Sequence, residues 1–355
     1  MLLRVVMETL SRAGDFEPAL ALVAQRFADV APENRFRFLY QGLLARNPEN
    51  AEAATRKPPR LVDGLRGVLI SQEFRERSTD LLLNEFPEKA RDLFIHIPKT
   101  GGVTITHYLA NHPSVVTLYS EESLRMDWIK DWPDYLTTTA AKFVNDADRV
   151  CVTGHLKSNY ILDHNLNRET DSVFCVVREP FELIVSWINY ILTAIARAGG
   201  MAEPTSDIIG WRKALDIDAN WSPVLVTDLE PIFYLIVDRL IPNDPMCTYL
   251  GLEKTADSAV EMIHRLGIGI IQFGHVDAFL ATRDVAVADH RNVSEKFFSL
   301  ANLSSPMRLA IFDKIQQDTK LWRFMAPVLA RSTSPVIESH EFSVAGTCTS
   351  ASAHQ

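Results

Sequence analysis

The chain has 355 residues, a formal net charge of −9 and a hydrophobic fraction of 47%. That length suffices for one large core or two domains, and the acidic balance excludes a broad nucleic-acid footprint, so any basic anion site must be local. The N-terminal stretch MLLRVVMETLSRAGDFEP meets charged residues too early for a signal peptide, and no uninterrupted apolar run of about 18 residues occurs. The expectation is therefore a cytoplasmic protein with no transmembrane segment.

Residues 1 to about 50 show helical spacing: Leu20, Leu22, Val23, Phe27 and Val30 recur on one face, and Phe36, Phe38, Leu39, Leu43 and Leu44 repeat the pattern after Pro32. Asn47 to Arg60 is a break rich in Pro, Ala and charge, and Leu61 to Arg77 reads as one further amphipathic helix. Residues 1–90 are thus expected to form a small all-helical module.

From Asp92 strands alternate with helices, the pattern of a mostly parallel sheet with helices on its faces. The strand from Leu93 runs to Ile97, and a glycine loop and a helix follow it. Further strands are predicted over Val115–Tyr119, Arg149–Thr153, Ser172–Val177 and Ile268–Phe273. Helices are predicted over Phe181–Ala196, Pro231–Leu240, His275–Thr282 and Met307–Leu329, while 120–148 and 197–230 lack a clear period. This α/β domain spans 91–330. The Ser, Thr and Ala-rich tail 331–355 is expected to be disordered, because it has little apolar surface to bury. Cys151, Cys175, Cys247 and Cys348 form no CxxC pair and read as buried thiols.

Two stretches carry chemistry. Pro98, Lys99, Thr100, Gly101, Gly102, Val103 and Thr104 link the first strand to its helix. Adjacent glycines let backbone N–H groups approach a ligand, and the helix that follows points its unpaired N–H groups and positive dipole end at the same place. The loop reads as an anion site with a lysine at its mouth, or else as an ordinary strand-to-helix turn with a solvated lysine. Arg178 ends another strand, where ligands of open α/β sheets bind, and Pro180 suits the first helical position. Ser186 lies nearly two turns into that helix, so a guanidinium and a hydroxyl can converge on a second anion. The bland reading of Arg178-Glu179-Pro180 is a capped turn.

These residues resemble the carbohydrate sulfotransferases that use 3′-phosphoadenosine-5′-phosphosulfate (PAPS), particularly the heparan-sulfate 2-O type and its bacterial relatives. Phe94 to Thr104 is similar to the family segment that wraps the 5′-phosphosulfate; Arg178, Glu179, Pro180, Ser186 and Tyr190 match the segment that holds the 3′-phosphate, with Leu183 in place of a common Arg. Gly154-His155, Phe273-Gly274 with Asp277, Asn292-x-Ser294 and Asp318-x-x-Leu321-Trp322 follow in family order, and the stretch from Asn243 to Gly251 resembles one near the acceptor. The resemblance implies a P-loop-like three-layer α/β/α fold, PAPS as donor co-substrate without a metal, and a carbohydrate or glycoconjugate acceptor.

In that reading Lys99 and the N–H groups from Thr100 to Val103 stabilise charge on the bridging oxygen, Thr104 adds a donor, and His155 is the general base. The structural alternative for His155 is a histidine that fixes a strand end, and His96 is read as packing. A P-loop-like phosphotransferase is the competing enzyme, but the Walker order is absent because Lys99-Thr100 precedes the glycines. A non-catalytic glycan-binding protein with a vestigial nucleotide site is the other alternative. The helical pieces, through Phe38, Tyr40, Leu43, Leu44 and Arg46 and then Ser71, Glu73 and Phe74, resemble a small bacterial helical domain of unknown function that is often fused to glycan-handling proteins.

Overall fold

A computed structural model describes residues 2–49, 60–120, 123–124, 129, 131–146, 148–166, 168, 170–199, 205–285 and 294–346. Five strands form one parallel sheet: β1 (Ala90–Ile95), β2 (Val115–Tyr119), β3 (Arg149–Thr153), β4 (Ser172–Val177) and β5 (Gly269–Gln272), in the order β2-β3-β1-β4-β5. Runs such as RVCVT and SVFCVV are apolar at consecutive positions because helices cover both faces of such a sheet. Register pairs Leu93 with Val152, Leu118 with Val152, and Val177 with Gln272. The fold is α/β with helices around a parallel sheet, as the alternating pattern predicts. The strand order reverses at β1, since the chain leaves β1 toward β2 and β3 and then enters β4 on the other side.

The chain divides into two compact units, one of 1–94, 106–156 and 161–172, the other of 95–105, 157–160 and 173–355. The division does not follow the expected boundary near residue 90. The N-terminal helices belong with β1, β2 and β3, and the reason is aromatic packing from the segment without a clear period. Trp132 is buried, donates its indole N–H to the Leu69 carbonyl at 2.8 Å and meets Phe74 edge-on, while Phe86 packs on Phe143. The Thr79 hydroxyl donates to the Tyr119 carbonyl at 2.6 Å. The single helix expected over Leu61–Arg77 is two, Leu61–Leu69 and Gln72–Glu85, because the Ser71 hydroxyl accepts from the Phe74 N–H and starts a new helix. Arg46 grips the Glu73 carboxylate at 2.5 and 2.6 Å and lies over the Tyr40 ring. The pieces that carry the helical-domain resemblance therefore meet in one bidentate pair and one cap.

The second unit is built on the helix Pro180–Ala198. It is long and apolar enough to cross a membrane by composition, and 56% of its apolar window is buried within the fold. Ile184, Ile188, Ile191, Leu192 and Ile195 pack with Phe233, Ile236, Phe298 and Ile311. The buried Asn189 amide both donates to and accepts from the backbone of Phe298, and the Thr193 hydroxyl accepts from the Glu295 N–H, so 294–298 is pinned to this helix. Met307–Leu329 is broken at Ile315 into Ser305–Lys314 and Gln316–Leu329. Asp244 and Asp318 explain the break: the Asp244 carboxylate accepts from the N–H groups of Gln317 and Asp318, while Asp318 accepts from those of Met246 and Cys247. Asp244, just before the helix Pro245–Leu250, thus caps Gln316–Leu329, and Asp318 in the latter caps the former.

Part of the tail is ordered rather than disordered. Ile337 bridges Ile270 antiparallel to β5, and the helix Ser339–Gly346 buries Phe342 against Phe324. Two apolar residues among the serines and threonines suffice to anchor it. Asn292, Cys348 and Trp128 lie outside the described residues.

Candidate anion site

The loop after β1 and the turn after β4 both belong to the second unit, which brings most of the predicted site residues together. Lys99 has a φ of 68°, a left-handed conformation that is uncommon for a residue with a side chain, and Gly101 follows at 88°. A Cβ on Gly101 would meet the Phe273 ring at 3.1 Å, and one on Gly102 would fall 2.0 Å from the His96 ring, so both glycines are required by close approach. His96 is thus a packing partner of the loop. Thr100 is fully buried and its hydroxyl donates to the Ile97 carbonyl at 2.7 Å, which closes the turn. Gly102 opens the helix Gly102–Asn111, whose first turn is closed by the bond from the Thr104 N–H to the Gly101 carbonyl at 3.0 Å. Gly101 has no side chain to cap that helix, so the earliest N–H groups are left for a ligand.

Arg178 and Lys99 are neighbours. The Arg178 Nη1 donates to the Lys99 carbonyl at 3.4 Å, and its guanidinium carbon lies 4.4 Å from the centre of the Phe273 ring. Its Nε is 3.5 Å from the carboxylate of Glu182, which is about half exposed. The Lys99 Nζ sits 3.7 Å from the centre of the Tyr190 ring. Burial, reinforced by the positive charge of Arg178, pulls the Lys99 ammonium down from 10.5 to about 8. Burial also pulls Arg178 down, against the pull of Glu182 and Glu179. Two partly desolvated cations therefore lie side by side, the Glu182 and Glu179 carboxylates act on Arg178, and burial and Arg178 together disfavour the Lys99 charge, an arrangement that an anion at Lys99 relieves.

Pro98 and Ser186 are half-buried, Val103 is exposed and Thr104 is buried. The helix carrying Ser186 starts with its own cap, since the Glu179 carboxylate accepts from the Glu182 N–H at 2.8 Å. That carboxylate makes this helix end a poorer anion site than the one at Gly102. His155 belongs to the first unit and follows Gly154, which has a φ of 98°. A Cβ on Gly154 would fall 2.1 Å from the Ser123 Oγ, and that same oxygen accepts from the His155 N–H at 3.0 Å. The backbone of His155 is thereby fixed, and the residue is half-buried.

Two aromatic residues of the cluster escaped assignment from sequence. Tyr190 matches a motif without an assigned part in the site, and Phe273 reads only as a strand end; its place just after the apolar run of β5 is the signal in the sequence, and the structure leaves it 39% exposed. Asp318 and the stretch from Asn243 to Gly251 matched separate family segments, and the structure joins them through the capping bonds at Met246 and Cys247. Compared with models of known families and with curated proteins, the chain matches none.

Proposed function

We propose that the chain is a PAPS-dependent sulfotransferase that transfers a sulfuryl group to a hydroxyl of a carbohydrate or glycoconjugate acceptor. The observation that carries this reading is the pairing of Lys99, in a left-handed glycine loop at a helix N-terminus, with Arg178 from the next strand end. The residues fit a donor with several phosphate charges: glycines that a Cβ would fill, backbone N–H groups at Gly102 and Val103, and two cations partly stripped of water. When bound, PAPS supplies the sulfuryl group and a phosphate leaving group.

In this reading Lys99 and the N–H groups of Thr100 to Val103 hold the 5′ end and stabilise the charge that develops on the bridging oxygen. Arg178 and Ser186 hold the 3′-phosphate. His155 accepts the acceptor's hydroxyl proton, its backbone held by Ser123. Lysine before glycines, rather than after them, separates this loop from the Walker arrangement of phosphotransferases. Incubation of the full chain with PAPS and a panel of unsulfated oligosaccharides, with chelator present, tests the proposal. Release of adenosine 3′,5′-bisphosphate together with an acceptor that has gained one sulfuryl group is expected; γ-phosphoryl transfer to the same panel from ATP with Mg²⁺, in a parallel reaction without chelator, would replace it with the phosphotransferase.

A further inference from the structure

We propose that Tyr190 is a positioning residue for Lys99, its ring face fixing the lysine ammonium at the mouth of the loop and helping to keep it charged until an anion binds. The inference rests on the anion-site reading of that loop. Its geometric basis is the 3.7 Å separation of the Lys99 Nζ from the Tyr190 ring centre. A cation at that distance over an aromatic face is attracted by the ring quadrupole, most strongly where water is partly excluded.

The ring itself is held in place. Tyr190 is half-buried on the helix Pro180–Ala198, one turn beyond Ser186, and Trp211 meets it edge-on with centres 5.8 Å apart. The charged neighbours leave it a task. Arg178 acts on Lys99 and repels it. Glu182 and Glu179 are engaged with Arg178, and Asp207 acts on the Tyr190 phenol. The ring face thus supplies an attraction opposing both burial and Arg178. An arriving phosphate would then take the ammonium from the ring, so that one side chain is presented to the donor in one place and one protonation state. The resemblance groups Tyr190 with the 3′-phosphate segment; its contact here is with the lysine of the other segment.

The test replaces Tyr190 in the full chain with Phe, then with phenylalanines of increasing fluorination, and also makes Tyr190→Leu. Fluorination weakens the ring face at nearly constant shape, so folding is preserved even if the leucine variant is unstable. The Lys99 pKa is read by competitive acetylation and mass spectrometry, with no nucleotide added. Tyr190→Phe should leave it within a few tenths of a unit, and full fluorination or Tyr190→Leu should lower it by about 0.5 to 1.5 units. An unchanged pKa across the fluorinated series overturns the inference. PAPS binding, measured separately on the parent chain, decides the other reading: a graded pKa in a chain that ignores PAPS keeps this role and rejects the sulfotransferase, and a flat pKa in a chain that binds PAPS does the reverse.

Discussion

Anion binding at Lys99 should take up a proton, and the size of the effect follows from the site. Burial and Arg178 bring Lys99 down from 10.5 to about 8, roughly two and a half units, on the order of 3 kcal/mol of disfavoured charge. A bound phosphate reverses that disfavour and raises the bound-state value. The sign is then determined. Below about pH 7 Lys99 is charged before and after binding and adds no pH dependence; only protonation of the ligand phosphates, whose second pKa is about 6, weakens binding there. Above about pH 8 the free lysine is neutral, one proton enters with the ligand, and affinity falls about tenfold per unit until the bound-state pKa is reached. From pH 8 to pH 10 adenosine 3′,5′-bisphosphate should lose about fortyfold to fiftyfold in affinity. Calorimetry in buffers of different ionisation enthalpy counts the proton directly. Lys99→Arg, which stays charged, should abolish the uptake and flatten the profile. Tight binding at pH 9 without proton uptake would refute the reasoning. In the unbound protein the depressed value has the opposite consequence for folding: stability from this group rises between about pH 8 and 10.5 and is lost as pH falls through 8.

Gly102→Ala should abolish bisphosphate binding and lower the melting temperature, because its Cβ would fall 2.0 Å from the buried His96 ring; normal binding would show that the loop can move aside. His155→Ala should bind bisphosphate like the parent and turn over about a hundredfold to ten-thousandfold more slowly, and unchanged turnover would remove it as the base. Asp318→Ala leaves the N–H groups of Met246 and Cys247 without their acceptor and should cost about 2–5 kcal/mol in urea unfolding. Burial pushes the Asp318 carboxyl up to about 6 despite those two bonds, so its contribution is full below about 3.8 and lost as pH rises through 6. The stability gap between the parent and Asp318→Asn should accordingly narrow from pH 4 to pH 7.

The sheet was legible because its strands carry short runs of consecutive apolar residues and glycines mark the turn after the first, as in the run from Leu93 to Gly102. Lys99 and Arg178 were each legible from their strand ends, and the parallel sheet brings such ends to one edge. What sequence concealed is set by pairs far apart in the chain. The break at Ile315 depends on Asp244, and the inclusion of the N-terminal helices with β2 and β3 depends on Trp132 reaching the Leu69 carbonyl. The tail illustrates the same limit, since composition over 331–355 hides the single Ile337 that bridges β5. Phe273 and Tyr190 escaped because an aromatic in a core helix or at a strand end most often packs, and only the position of a cation over its ring gives it a second role.

The most direct measurement is the melting temperature of the full chain in excess chelator with saturating PAPS, beside a titration with ATP in the presence of Mg²⁺. Ligand at a hundred times its dissociation constant adds about 2.7 kcal/mol, which is a rise of several degrees for a chain of this size. That rise is expected with PAPS and adenosine 3′,5′-bisphosphate, with its loss in Arg178→Ala and a far smaller response to ATP. No shift at saturating PAPS, or an equal shift with ATP, would contradict it.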